Sequence, residues 1–182
     1  MTAASQKLDD VDWHIESAES AHPDLDPADE VTHPEILGHA GAHIALFARW
    51  GLSRGTGPMI EEWGVGEAAA KVAAGEMSGS TFMDQEADWK LFSGLFDEET
   101  RAFANAYYGG MSGLYPWDVN RAVDGDFTWR EADCDFADFS QLVDRRLAEF
   151  RAGGAAAVRR AGALKRLFGA AGPQPACWGP HT

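Results

Sequence analysis

The stretch from Ile36 to Leu52, ILGHAGAHIALFARWGL, constrains the fold more than any other part of this chain. Ile36, Ala40, His43, Ile44, Phe47 and Trp50 recur at the three-to-four spacing of one buried helical face, and Leu46 widens it. An apolar face that broad gains its stability by packing, so other elements must surround it. Pro34 stands at the start with Thr32 or His33 as cap, and Ser53-Arg54-Gly55-Thr56-Gly57-Pro58 is a stop signal. The spacing predicts one helix over 36–52. It carries His39 and His43 on one side, a turn apart. Three readings of the pair are open: two metal ligands, a catalytic histidine with a neighbour, or two histidines packed in a core.

The other elements are shorter. Val11-Asp12-Trp13-His14-Ile15 alternates apolar and polar and predicts a strand or extended segment docked by Val11, Trp13 and Ile15. Short helices are expected over 59–63, 67–74 and 82–89, the last capped near Ser78-Gly79-Ser80. Asp97 is a good cap for a helix beginning Glu98-Glu99-Thr100, whose acids suit the positive end of the helix dipole. Gly109-Gly110 ends that helix. A helix or turn is expected over 114–119 and a short strand within 125–134. Phe136, Phe139, Leu142, Val143, Leu147 and Phe150 mark a further helix.

These readings give one mainly α domain, α+β at most. An acidic arm over 1–33 precedes a globular helical domain over 34–152, a basic amphipathic helix over 153–170 and a flexible tail over 171–182. Ten acids and one lysine lie between Met1 and Glu35, whereas Arg151 to Ala170 holds five basic residues and no acid. The basic helix can address a membrane surface or an acidic groove, or fold back on the acidic half of its own chain.

The whole chain has 29 acidic against 15 basic residues, a net charge of −14. Such a surface repels nucleic acid, whose binding relies on lysine and arginine, and it favours a basic protein as partner. No apolar run approaches the ~20 residues of a membrane span. The first residues lack a basic and apolar leader, so a cytoplasmic location is expected. Cys134 and Cys177 are far apart and neither makes a convincing nucleophile, since Asp133 and Asp135 flank the first and the tail holds the second.

No motif names a reaction. His-Glu-x-x-His is absent, because Ala40, Gly41 and Ala42 fill the gap. There is no Gly-x-Ser-x-Gly elbow, no Gly-x-Gly-x-x-Gly and no phosphate loop. His43 lies on the apolar stripe, where a histidine bonded to backbone or carboxylate is the plainer reading. Tyr107, Tyr108, Tyr115, Trp117, Phe127 and Trp129 crowd one loop-rich region, as anchors of an interface or seals of a small core.

Trp13-His14 and the run from Ala42 to Trp50, Ala-His-Ile-Ala-Leu-Phe-Ala-Arg-Trp, carry a resemblance. They are similar to a bacterial domain-of-unknown-function family with a Trp-His near the N-terminus and a Thr-His-Ile-Gly-Met-Phe-Leu-x-Trp helix. Met77-Ser78-Gly79-x-x-Phe82, Phe103 to Tyr108 and Val143 to Arg151 also match, so the likeness covers about residues 9–152. The chain departs from the pattern in the acidic insertion after Ile15, in Ala42 where threonine is usual, and in its C-terminal extension. The resemblance implies no activity. It favours His14 with His43 over His39, and it fits small acidic immunity proteins that block a toxin.

The first expectation is therefore a non-enzymatic cytoplasmic protein that neutralises a basic, toxin-like partner. Its binding residues would be Trp13, His14, His43, Trp50, Tyr107, Tyr108, Tyr115, Trp117 and Trp129, with no cofactor. The alternative is a metal-dependent enzyme using His14, His39 and His43. Membrane attachment through 155–168 is a weaker third reading, and the oligomeric state is not encoded in any feature above.

Overall fold

Residues 5–108, 113–122 and 127–168 are described by the computed structural model, a single mainly helical domain. Strand β1 (Lys7–Asp10) runs into a 3-10 turn (Val11–Trp13) and helix α1 (Ile15–Ala21). Helices α2 (His33–Ala40), α3 (Ala42–Leu52), α4 (Pro58–Glu62), α5 (Gly66–Ala74) and α6 (Gly79–Glu86) follow. Strand β2 (Lys90–Phe92) and a 3-10 turn (Ser93–Leu95) lead to α7 (Glu98–Tyr107) and α8 (Tyr115–Ala122). A last 3-10 turn (Glu131–Asp133) precedes α9 (Phe136–Phe168). The two strands pair antiparallel, with Lys7 opposite Phe92 and Asp10 opposite Lys90.

Helix α3 is the centre of the body. All its residues except His43 and Arg49 are buried, and α5, α6 and α9 pack on it. The Phe47 ring sits among Trp50, Phe96, Tyr108 and Tyr115, with centroids 4.9–5.8 Å away. Such edge and tilted contacts add to the burial of large apolar area.

The helix expected over 36–52 is two helices, broken at Gly41. The Trp89 ring lies where a side chain on residue 41 would be, 2.3 Å from an added Cβ. Periodicity alone cannot register this, because Gly41 satisfies a polar position of the pattern while leaving room for a ring from β2's approach. His39 therefore closes α2 and His43 opens α3.

The N-terminal region is also built differently from the expectation. The strand lies at Lys7–Asp10, and Val11–Trp13 turns because Asp10 caps it, its Oδ1 accepting from the Asp12 N–H. Leu8, Val11 and Ala18 are buried while Trp13 is exposed, so the acidic segment is woven into the core as far as α1. The helix expected over 82–89 starts at Gly79, because the Ser78 Oγ accepts from Thr81 N–H and caps it there. Asp97 caps α7 as expected, accepting from Thr100 N–H at 2.7 Å. Residues 127–134 hold a 3-10 turn in place of a strand.

Helix α9 continues the expected helix over 136–150 into the basic segment, with a break at Gly154 (φ 62°, ψ −166°), a conformation that favours glycine. Val158 beyond the break is buried. The side chains of the basic residues Arg159, Arg160, Lys165 and Arg166, the expected tail over 171–182 and Gly109-Gly110 lie outside the described residues.

Buried polar groups fasten the helices. Arg146 of α9 donates through Nε and Nη2 to the two oxygens of Asp118 on α8, at 2.7 and 3.0 Å, and Tyr107 of α7 donates to the same carboxylate at 3.0 Å. These bonds outweigh the cost of burial and hold the guanidinium charged. Glu131 accepts the backbone N–H groups of Gly79 and Ser80, so its carboxylate closes the positive end of α6. Trp50 donates its indole N–H to Asp144 at 2.9 Å, tying α3 to α9.

Candidate functional site

The site begins with the end of β1. Pairing with β2 points Asp9 inward, and its side chain is only 7% exposed. The 3-10 turn then reverses the chain so that His14 faces back toward Asp9. The first turn of α3 supplies His43 from the other side. His14 Nε2 lies 2.7 Å from Asp9 Oδ1 and His43 Nε2 lies 3.1 Å from Oδ2. The two rings meet edge to face, centroids 4.7 Å apart. Tyr108 O–H donates to Oδ2 at 2.6 Å and Asp10 N–H donates to Oδ1 at 2.8 Å.

Four donors thus converge on one carboxylate. Burial raises the Asp9 pKa, but the hydrogen bonds from His14 and then His43 outweigh it and hold the group well below the usual carboxylate range. An ionised carboxylate only accepts, so each imidazole presents Nε2–H to it. Burial pushes the His43 pKa down, against the pull of Asp9. Burial, reinforced by the charge of Asp9, pushes the Tyr108 hydroxyl well above its ordinary value, so it stays a donor.

A pocket of about 210 Å³ opens on this cluster, lined by Asp9, His14, His39, His43, Pro116, Val119, Asn120, Phe127 and Trp129. Phe127 adopts φ 60°, in the left-handed region that ring-bearing residues rarely enter. That backbone places its ring 5.5 Å from His14 and 6.1 Å from His43. It also turns the Phe127 carbonyl toward His22, whose Nε2–H donates to it at 2.9 Å.

His39 belongs to a second pair. Its ring stacks on His22 at 3.8 Å, and its Nδ1–H donates to the Trp129 carbonyl at 3.3 Å. Burial and the neighbouring His22 push its pKa down. The set His14, His39 and His43 is accordingly split, and the group that joins His14 and His43 is Asp9. Among the described residues, Asp9, His14 and His43 place one possible ligand atom each within 4.8 Å of one another.

The expected binding residues separate into three groups. His14, His43 and Trp129 line the pocket. Trp13 and Trp117 are exposed, 59% and 42%, next in the chain to the pocket residues His14 and Pro116. Trp50, Tyr107, Tyr108 and Tyr115 are buried in the core and do not reach solvent. Tyr115 instead donates to the His43 carbonyl at 2.5 Å, and Tyr108 acts on the site through Asp9. Phe127, one of the aromatics expected to anchor an interface or seal a core, also lines the pocket, whereas the sequence does not mark Asp9, Pro116, Val119 or Asn120. No local signal marks Asp9: strict alternation would place it on the exposed face of Lys7, and an irregularity in the strand pairing between Lys7 and Asp9 turns it inward instead.

The model of a family described as a domain of unknown function (DUF7832) matches residues 7–132. The chain belongs to this family. The DUF7832 match takes in every residue that lines the pocket and leaves α9, with Arg146, outside it. No curated protein and no solved structure matches the chain. No helix among the described residues of this DUF7832 member is long and apolar enough to cross a membrane.

Proposed function

We propose that the protein is a non-enzymatic, cytoplasmic binding protein that neutralises a basic partner, in the manner of an immunity protein or inhibitor. The observation that carries this reading is the exposure of Trp13 and Trp117 beside the pocket of an acidic chain. Large aromatics left in water next to a concave surface are the anchors that interfaces use. Exposed Asp12, Glu16, Asp24, Asp26, Asp29 and Glu30 surround the N-terminal side with negative charge. Such a field steers a basic partner and fixes its orientation. Lys7 already places its ammonium 5.0 Å from the centre of the Trp13 ring, so the face of that ring accepts a cation.

The test is co-expression with the protein encoded by the neighbouring reading frame, where that protein is basic and toxic. Protection of growth is expected from the unaltered chain. Trp13→Ala and Trp117→Ala should each weaken the purified complex by roughly tenfold or more, about 1.4 kcal/mol. Affinity should fall as salt rises from about 50 to 300 mM, because the exposed charges are screened. Absence of protection, or protection undiminished in the double tryptophan variant, sinks the proposal.

A further inference from the structure

The cluster of Asp9, His14 and His43 has an arrangement that partner binding does not require. The three side chains come from three different places: the end of β1, the turn before α1, and the start of α3. A structural tie between arm and core needs one imidazole on the carboxylate. Here two imidazole Nε2 atoms and a carboxylate converge at the floor of a pocket, with His14 and His43 side chains 23% and 15% exposed to it. We propose that Asp9, His14 and His43 form a binding site for a divalent transition-metal ion of the zinc class, held by two imidazole nitrogens and one carboxylate oxygen.

The donor set selects the ion. Two nitrogens and one oxygen suit zinc, cobalt, nickel or ferrous iron, and they do not suit calcium or magnesium, which take oxygen ligands. Tetrahedral ligands at about 2.0–2.1 Å from zinc stand about 3.3 Å apart. The rings sit on different oxygens, His14 Nε2 2.7 Å from Oδ1 and His43 Nε2 3.1 Å from Oδ2. One ring nitrogen from each histidine and one Asp9 oxygen lie within 4.8 Å of one another, and side-chain rotation closes that spread to the tetrahedral spacing. Metal binding moves each ring proton from Nε2 to Nδ1 and replaces the two Nε2–H···O bonds with two N–metal bonds and one O–metal bond.

The surroundings also fit. Tyr108 O–H and Asp10 N–H orient the carboxylate, as outer hydrogen bonds do at metal centres. Phe127 covers His14 from one side. The cluster opens onto the pocket that Pro116, Asn120 and Trp129 also line, through which a water or a small donor ligand would reach a fourth position.

The experiment is zinc titration of the full chain by calorimetry after dialysis against chelator, with metal content measured by elemental analysis. One equivalent is expected, with magnesium giving none. His14→Gln and His43→Gln should each lower zinc affinity tenfold or more, while Cys134→Ser leaves it unchanged. Circular dichroism confirms that the variants are folded. Should either histidine variant fail to fold, cobalt added to the unaltered protein decides. The visible absorption of a four- or five-coordinate site is expected, and the spectrum of free hydrated cobalt overturns the proposal. Less than about a tenth of an equivalent of zinc, or zinc binding that survives both histidine changes, also overturns it. None of these readings depends on a protein partner, so failure here leaves the binding function standing, and the reverse.

Discussion

Asp9 and Asp118 are two buried aspartates solved in two ways. Each accepts a hydroxyl from one of the adjacent residues Tyr108 and Tyr107, which leave α7 in different directions. Asp118 is completed by Arg146, a permanent cation with a rigid fork of donors, and it does not line the pocket. Asp9 is completed by two imidazoles at the floor of that pocket. An imidazole can lose its charge, change tautomer or bind a metal, whereas a guanidinium can do none of these at ordinary pH. The difference separates a fastener from a site: Asp118 clamps α7, α8 and α9 together, and Asp9 holds groups that remain available for exchange.

The harshest way to break both is alkali. Tyr107, Tyr108 and Tyr115 are the only tyrosines in the chain, all are buried, and burial raises each pKa well above the ordinary value near 10. The folded state keeps them neutral while the unfolded chain ionises near pH 10. Their stabilising contribution is therefore complete below pH 10 and is lost as pH rises above it, by about 1.4 kcal/mol per tyrosine per pH unit. Absorbance of tyrosinate should show all three ionising together, coincident with loss of the helical dichroism signal. A tyrosine that titrates near pH 10 in the folded protein contradicts this.

Arg146→Ala should have the next largest effect. It leaves Asp118 buried without its cation, at a cost of about 3–5 kcal/mol in urea unfolding. Asp9→Asn should cost less, about 1–3 kcal/mol, because the amide oxygen still accepts a hydrogen bond and no buried charge is left without its partner. Equal losses in the two variants would break the distinction between clamp and site. A smaller loss in Asp9→Asn sharpens it.

Much of the scaffold was legible. Asp97 announced its helix by residue type and position, and the apolar stripe picked out Ile44, Leu46, Phe47 and Trp50, while the burial of Ala42, Ala45, Ala48, Gly51 and Leu52 around the rest of α3 went beyond it. Gly41 was not legible, since the break depends on Trp89 arriving from a distant segment. The pairing of His14 with His43 was foreshadowed by the family resemblance, whereas helical spacing alone pointed to His39 with His43. Asp9 was hidden among 29 acids. Its partners lie 5, 34 and 99 positions away, and only the strand pairing and the turn bring them together. Trp50 and the tyrosines looked like surface anchors because aromatic residues serve cores and interfaces alike, and local composition does not tell the two apart.

The pairing of Lys7 with Phe92 has a consequence for how the chain is made. During synthesis β1 leaves the ribosome well before the strand it must join, and Asp9 waits longer still for Tyr108. Closing so long a loop is slow relative to forming local helices. Helices α2 to α6 can begin to coil while the nascent N-terminus is still unpaired. The pocket is complete only once β1, the start of α3 and Tyr108 have met, so its floor depends on contacts that span 34 and 99 positions of the chain.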